Sequence, residues 1–509
     1  MSEPNAARRP PSDPAPLPAL TGRSRNRLAW IVVLVIALVY GWFLTAHGVS
    51  YASGSDASGY FNSARLLAQG KTGSPLRTIA GLEPPSWNYY FQQPLGFMAQ
   101  GETGLPIPTY PVGLPLQLLV AEKLVGWGHA AVLVNVLSAV ATGWLTLLLG
   151  RQVCGLRWPW ALTATALIWA CPLMVFFSLQ PMSDVPATAW TLGALYAAFK
   201  VRQNWRWGFA VGTAVGMAVL LRPTNILVML PVLLLLGGNR RGWVTVIAAG
   251  LPFAAIQAIY NHTIYGHVLT SGYGDVSPLL QSQFVPHNLG HFARWIPQLL
   301  TPLVLLTLAL PWVCRRQIRS LLAGLLWVVA LIGFYAFYYH SGETWWYLRF
   351  ILPVFPCLLL AASMVAQRLT DQLPSGAVQL GLISIIALFS LQHLFNLNRK
   401  LDVTAVARAD QAYFDTMQWL QKHAPANAVM AAMQASGALQ FYTSFPLLRY
   451  DLMSPAEFAQ AVKTVRNNGQ AIYAPLFPFE IKPVVDGALG GHWQKIATID
   501  YITIWRLQP

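Results

Sequence analysis

Charge is what this 509-residue chain has least of. Only 10% of its residues are Asp, Glu, Lys or Arg, against roughly a quarter in soluble domains. Acid is scarcer than base, with 18 Asp plus Glu against 33 Lys plus Arg. With 55% hydrophobic residues and a mean hydropathy of +0.46, this composition excludes an ordinary soluble globule and points to a polytopic α-helical membrane protein. A net charge of +15 would suggest nucleic acid in a soluble chain. Here most basic residues sit in short loops between apolar runs, so they report topology and no nucleic-acid partner is expected. The four cysteines, Cys154, Cys171, Cys314 and Cys357, fall in apolar runs or beside basic loops, with no disulfide framework and no metal-ligand spacing. No nucleotide-binding glycine fingerprint occurs. An enzyme built from this chain therefore needs another source of activated substrate. No internal repeat with paired broken helices is visible, which argues against a secondary transporter.

What is present is a series of about eleven apolar spans, near 28–46, 129–150, 158–177, 184–200, 207–221, 224–238, 243–261, 297–314, 320–339, 347–367 and 376–396. Residues 1–27 are polar, Pro-rich and then basic, and read as a disordered cytoplasmic tail. The first span is long for a signal-peptide core and reads as a retained anchor. The loops RQVCGLR, KVRQNWR, GGNRRG, CRRQIRS and AQRLTDQ each carry Arg, which puts them and the N-terminus in the cytoplasm. The opposite loops hold the acids, histidines and aromatics. An odd number of spans leaves the C-terminal region outside the cell or in the periplasm. Residues 28–400 thus form a multi-pass domain of the inner (plasma) membrane.

Residues 47–128 form a first outer loop too polar to span and too long to be a connector. SGYFNSARLLAQG and YPVGLPLQLLVAEKLVG predict helices, the second interfacial. Between them, WNYYFQQPLGFMAQGETGLPIPTY has the Trp and Tyr density of a membrane-interface belt. Residues 401–509 predict a small α/β domain. AYFDTMQWLQKH reads as a helix, ANAVMAAM, FPLLRYD and GQAIYAPLF as strands, and WQKIATIDYITIWRL as a terminal hairpin. SPAEFAQAVKTVRNNG predicts a helix with Ser454 as N-cap, Pro455 at its first position and Glu457 closing a capping box.

Asp56, about ten residues past the first span, is the residue most worth explaining in so acid-poor a chain. On the same face fall Asp184 (QPMSDVPA), Arg222 (LLRPTN), and His340, Glu343 and Arg349 (HSGETWWYLRF). The long loop adds His262, His267, Tyr273 and Asp275, and Tyr60 follows Asp56 by one helical turn. Charges at a membrane are costly and mark function. Each residue also has a plainer role open to it. Asp56 suits an Asx turn, Asp184 a helix N-cap, Arg222 a helix end and Arg349 a snorkelling anchor, while the histidines suit structural hydrogen bonds.

The segments SDASGYFNSARLLAQG, TYPVGLPLQLLVAEKLVG, PMSDVPATAWTLGALYAA, LLRPTNILVMLP, YGHVLTSGYG and RFILPVFPCLLLAA, in this order and spacing, give the chain its resemblance. It resembles the GT-C superfamily of polytopic glycosyltransferases, and within it the bacterial protein-mannosyltransferase and aminoarabinose-transferase branch. The resemblance implies inverting transfer of a sugar from a polyprenyl-phosphate carrier to an acceptor hydroxyl on a lipid, glycan or protein. It implies Asp56 and Asp184 as catalytic acids and Arg349 with Arg222 as phosphate ligands. Glu343, His340, Tyr60, Tyr273 and His262 are the candidate substrate contacts. The family's first loop often has paired acids, and here Ala57 follows Asp56. A divalent metal is compatible with this chemistry, but no ligand cluster demands one. The rival functions are a transporter or flippase, or a ligase, of lipid-linked glycans.

Overall fold

The computed structural model describes residues 22–84, 86–100, 104–313, 318–487 and 489–509. Residues 1–21 of the expected tail, Cys314 and most of the CRRQIRS loop lie outside the described residues. The chain divides at Val39/Tyr40, inside the first helix, α1 (Gly22–His47). That helix begins earlier than the expected span. The packing and the site described below concern residues 40–509.

The first loop carries α2 (Ser55–Ala68), a two-stranded antiparallel ribbon β1 (Phe97–Gln100) and β2 (Leu105–Pro108), and α3 (Gly113–Val125). The helical layer then continues through α4 (Trp127–Gln152), the bent pair α5 (Trp158–Ala170) and α6 (Pro172–Ser178), and α7 (Asp184–Lys200). It goes on through α8 (Trp207–Leu221), a 3₁₀ turn into α9 (Met229–Leu236), and α10 (Arg240–Tyr265). A long strap leads to amphipathic α11 (Val285–Leu299). After a sharp turn come a 3₁₀ run, α12 (Leu310–Val313), and α13 (Ile318–Ala336). A 3₁₀ stretch (Trp345–Val354) runs into α14 (Phe355–Thr370), followed by α15 (Gly376–Lys400).

Helical segments lie along the expected apolar runs, without confirming eleven membrane-crossing helices. Among the described residues, five helices are long and apolar enough to cross a membrane, or up to seven if each bent pair counts as one span. The bends are 54° between α5 and α6 and 115° where Ser282–Leu299 meets Pro302–Val313. Pro172 and Pro302 sit at these breaks, where a missing N–H and a fixed φ end the preceding helix. The chain is a mostly helical, multi-pass membrane protein.

The C-terminal segment carries α16 (Ala405–His423), β3 (Val429–Ala431), α17 (Ser436–Tyr442), β4 (Leu447–Leu448), α18 (Pro455–Asn467), β5 (Ile472–Leu476), α19 (Pro478–Val485), β6 (Trp493–Ile499) and β7 (Ile502–Leu507). The five strands are ordered β4-β3-β5-β7-β6. β3 runs parallel to both its neighbours, while β5–β7 and β6–β7 pair antiparallel. Side chains alternate between faces along a strand, and the packing follows. Met430, Tyr473 and Ile504 pack with Met417 and Leu420 of α16. Val429, Ala431 and Ile472 pack with Phe458 and Val465 of α18. That second core also takes Ile79, Leu82, Trp87 and Phe91 from the first loop. The sheet layer therefore includes residues from well before position 401. The α18 capping box forms as the sequence predicts, with Ser454 Oγ accepting from Glu457 N–H and Glu457 accepting from Ser454 N–H.

Candidate active site

Asp56 lies in the first turn of α2, where a helix N-terminus favours a carboxylate. Gly54 precedes that helix at φ +49°, a left-handed conformation that favours glycine. Tyr110, in the turn before α3, comes against the same helix because Gly59 has no side chain. A Cβ there would stand 2.4 Å from the Tyr110 ring. The Tyr110 hydroxyl donates to Asp56 Oδ1 at 2.7 Å. Its own oxygen is 2.8 Å from Ser55 Oγ, which is left to act as the donor there. Asp56 Oδ2 accepts from Arg349 Nη2 at 3.0 Å.

A second pair lies beside the first. Asp184 opens α7 and is wholly buried; its Oδ1 accepts from Arg222 Nη2 at 2.6 Å. Arg222 leaves the end of α8 in an extended conformation ahead of Pro223, and Asn225 closes the helix by donating to Ala218 O. Arg222 Nε also reaches Ser183 Oγ at 3.2 Å, and Ser183 Oγ is 3.1 Å from Tyr60 OH. Both guanidinium groups approach the Phe350 ring, at 5.0 Å for Arg349 and 5.5 Å for Arg222. Arg349 Nε, Arg222 Nη1 and Asp184 Oδ2 are buried without a hydrogen-bond partner among the described residues.

These groups surround a cavity of about 380 Å³. Asp56, Tyr60, Arg222, Tyr273, His340 and Arg349 line it. Asp184 and Glu343 are not among the lining residues; each stands behind a residue that is. Glu343 pairs with His340 at 2.6 Å, and the His340 ring stacks on Tyr347. His262 is exposed at the end of α10, away from this cavity. Asp275 accepts from Ser277 N–H at 2.9 Å in the strap, as a turn residue. Two other recesses, about 460 and 960 Å³, are lined largely by apolar side chains and hold none of the candidate site residues.

Partial burial pushes the Asp56 carboxyl up, but the charge of Arg349, hydrogen bonds from Tyr110 and Arg349, and the charge of Arg222 outweigh it. The net effect holds the group below the usual carboxylate range. The tyrosines move the other way. Burial, reinforced by the negative charge of Asp56, raises Tyr60 to about 12 and takes Tyr110 well above its ordinary value. Tyr273, 46% exposed, rises through partial desolvation in the cavity wall and the proximity of Tyr60 and Asp56. At neutral pH the site is therefore a carboxylate ringed by protonated hydroxyls. No group of three His, Cys, Asp or Glu side chains able to hold a metal ion occurs among the described residues. Each of the two acids already has an arginine, so the residues present do not fit a divalent ion.

Sequence reasoning missed Tyr110, Ser183, Tyr335, Tyr347 and Phe350 as members of the site. All but Tyr335 stand within motifs already singled out; Ser183, Tyr347 and Phe350 are also next to or two positions from residues that were chosen, while Tyr110 has no chosen neighbour. Tyr335, stacked on Phe350 and bonded to Thr224, has no signal beyond its place near the end of an apolar run.

No protein-family model matches this chain, and no curated protein does. Solved structures do. ArnT from Cupriavidus metallidurans bound to undecaprenyl phosphate aligns at a TM-score of 0.59 and 15% identity, over 94% of this chain and 98% of that one. The Archaeoglobus fulgidus oligosaccharyltransferase AglB, in complex with an inhibitory peptide and a dolichol-phosphate, aligns at 0.55 and 11% identity, over 91% and 71%. The mycobacterial arabinofuranosyltransferase AftD aligns at 0.50 and 13% identity, over 96% of this chain but 42% of that one. All three are GT-C glycosyltransferases, and the fold of this chain is the GT-C fold.

Proposed function

We propose that this chain is an inverting glycosyltransferase that moves a sugar from a polyprenyl-phosphate carrier to an acceptor hydroxyl. The observation that carries it is the cavity itself. One solvent-reachable carboxylate, Asp56, stands opposite two arginines that keep unpaired N–H groups, with no nucleotide fingerprint anywhere in the sequence. Asp56 takes the proton of the acceptor hydroxyl. The acceptor oxygen bonds to the anomeric carbon from the face opposite the phosphate. The bond from that carbon to the phosphate oxygen breaks, and its electron pair stays on the phosphate. Arg349 and Arg222 stabilise the departing charge, because a planar guanidinium pairs with two phosphate oxygens at once. One displacement inverts the centre and needs no covalent glycosyl-enzyme. Asp184 holds Arg222 in place, and no step runs through a metal. The aromatic walls of Tyr60, Tyr110, Tyr273 and Phe350 suit the flat faces of a hexose or pentose.

The bound undecaprenyl phosphate of ArnT and dolichol-phosphate of AglB support a lipid-phosphate donor. The arginine-rich loops support about eleven spans in the plasma membrane, with the N-terminus cytoplasmic and the site and α/β layer outside. A flippase or transporter is not favoured, since Asp56, Asp184 and Glu343 gather at or just behind the wall of one cavity. The purified Asp56→Asn protein, eluting as the wild type does, is expected to transfer no sugar from a polyprenyl-phosphate donor. Normal turnover would remove the base and the reading with it.

A further inference from the structure

The carboxylate that serves as base and the arginine that anchors the donor are bonded to each other. Each Asp56 oxygen already accepts a strong hydrogen bond, one from Tyr110 and one from Arg349. Both guanidinium groups meanwhile keep a buried N–H with no partner among the described residues, on side chains that line the cavity and share the Phe350 ring. With two arginines and two carboxylates, this cluster is neutral before any substrate enters.

We propose that the donor phosphate and Asp56 compete for Arg349, so that donor binding is the event that frees the base. This rests on the glycosyltransferase reading of the site. A phosphate oxygen takes the Nη2 hydrogen now given to Asp56, while Arg349 Nε and Arg222 Nη1 donate to the same phosphate. Tyr110, backed by Ser55, keeps Asp56 in position when Arg349 lets go. Asp184 does not make the same exchange. Its side chain is 0% exposed, whereas that of Asp56 is 28% exposed.

The electrostatics run the same way. Asp56 shares the cavity wall with Arg349, Arg222, the Glu343-paired His340, Tyr335, Tyr338 and Tyr347, with Tyr110 before α3, Tyr60 on its own helix and Tyr273 in the strap. Held below the usual carboxylate range, it is a weak base. Losing an adjacent cation and gaining an adjacent anion both raise its proton affinity, by about one to three pH units. An acceptor or a water molecule that enters first meets a disarmed carboxylate, so transfer requires the donor to bind before the acceptor is activated.

The test measures binding of the methyl ester of undecaprenyl phosphate to the full-length protein, in the wild type, Asp56→Asn and Arg349→Ala. This phosphodiester keeps one charge at every working pH. Removing the competitor is expected to tighten binding by about tenfold or more in Asp56→Asn, the equivalent of one pH unit. Arg349→Ala is expected to bind at least about tenfold more weakly. Unchanged or weaker binding by Asp56→Asn, with Arg349→Ala weakened, overturns the competition and leaves the donor site standing. Wild-type affinity in Arg349→Ala overturns the donor site itself. The wild type supplies a second readout should a variant fail to fold. Asp56 binds its proton more tightly in the complex than in the free protein, so wild-type affinity must rise as pH falls through its donor-bound pKa toward the lower free value, and that rise must be smaller in Asp56→Asn, which keeps His340 in the same cavity wall. An affinity flat across that range also overturns the competition.

Discussion

Two aspartates that look equivalent in sequence have different environments. The Asp184–Arg222 pair is nearly dry, with side-chain exposures of 0% and 13%, while the Asp56–Arg349 pair is open to the cavity at 28% and 16%. Breaking a buried pair by removing one partner leaves an uncompensated charge and costs about 3–5 kcal/mol. Asp184→Asn is therefore expected to lower thermal stability in detergent by more than Asp56→Asn, because position 56 is open to water in the cavity and position 184 is not. Equal losses in the two variants would erase the proposed division between a supporting acid and a catalytic one. The sequence marked both acids and both arginines because charge is so scarce here. It could not say which acid meets which arginine. Arg222 follows Asp184 by 38 positions, but Arg349 follows Asp56 by 293, and no local pattern carries a contact across that distance. His262 illustrates the converse. A polar residue in a promising loop looks the same in sequence whether its side chain meets the cavity or solvent.

At the scale of elements, the close approach of α2 and Tyr110 positions Asp56. Ala favours a helix over Gly by about 1 kcal/mol, so Gly59→Ala ought to help α2 if local propensity decided. The contact decides otherwise, since the new methyl would lie 2.4 Å from the Tyr110 ring and 3.2 Å from Gly96 Cα. The ring has to move, and Asp56 loses a hydrogen bond to a charged group worth about 1.5–3 kcal/mol. Gly59→Ala is expected to lower turnover by roughly tenfold or more. Tyr110→Phe in the same background is expected to add little, because the bond is already gone. Full additivity of the two substitutions would show that they act separately. Elements with local signals were legible: α2, α3, the capped α18 and the terminal hairpin all stand where periodicity and caps put them. The β1–β2 ribbon was not, because Pro106 and Pro108 in a four-residue strand read against β structure; prolines are tolerated at such an edge. Nor was α17, seven residues long, whose final carbonyls accept from Arg65 and Arg77 of the distant first loop.

Across the whole molecule, the sheet layer and the first loop fold as one unit, and that has a consequence for the site. Among the described residues, the layer supplies none of those lining the candidate cavity. It does bury Ile79, Leu82, Trp87 and Phe91 of the first loop, each worth about 1.5–3 kcal/mol of burial. It also holds α2 directly. Asn62 donates to Gly437 O at 3.0 Å, Arg65 lies over the Phe441 ring, and Tyr442 OH accepts from Ala52 N–H at 2.8 Å, just before the helix that carries Asp56. Ending the chain at Lys400 would leave every proposed catalytic and phosphate-binding residue in place. It would also strip the first loop of its core and α2 of these anchors. The truncated protein is expected to insert in the membrane yet to lose sugar transfer, with the first loop cut rapidly in limited proteolysis where the full chain resists. If the truncated protein instead transferred sugar to a small soluble acceptor at the full rate, the layer would serve acceptor recruitment alone. The rigidity of the base would then have to come from α3 and Tyr110.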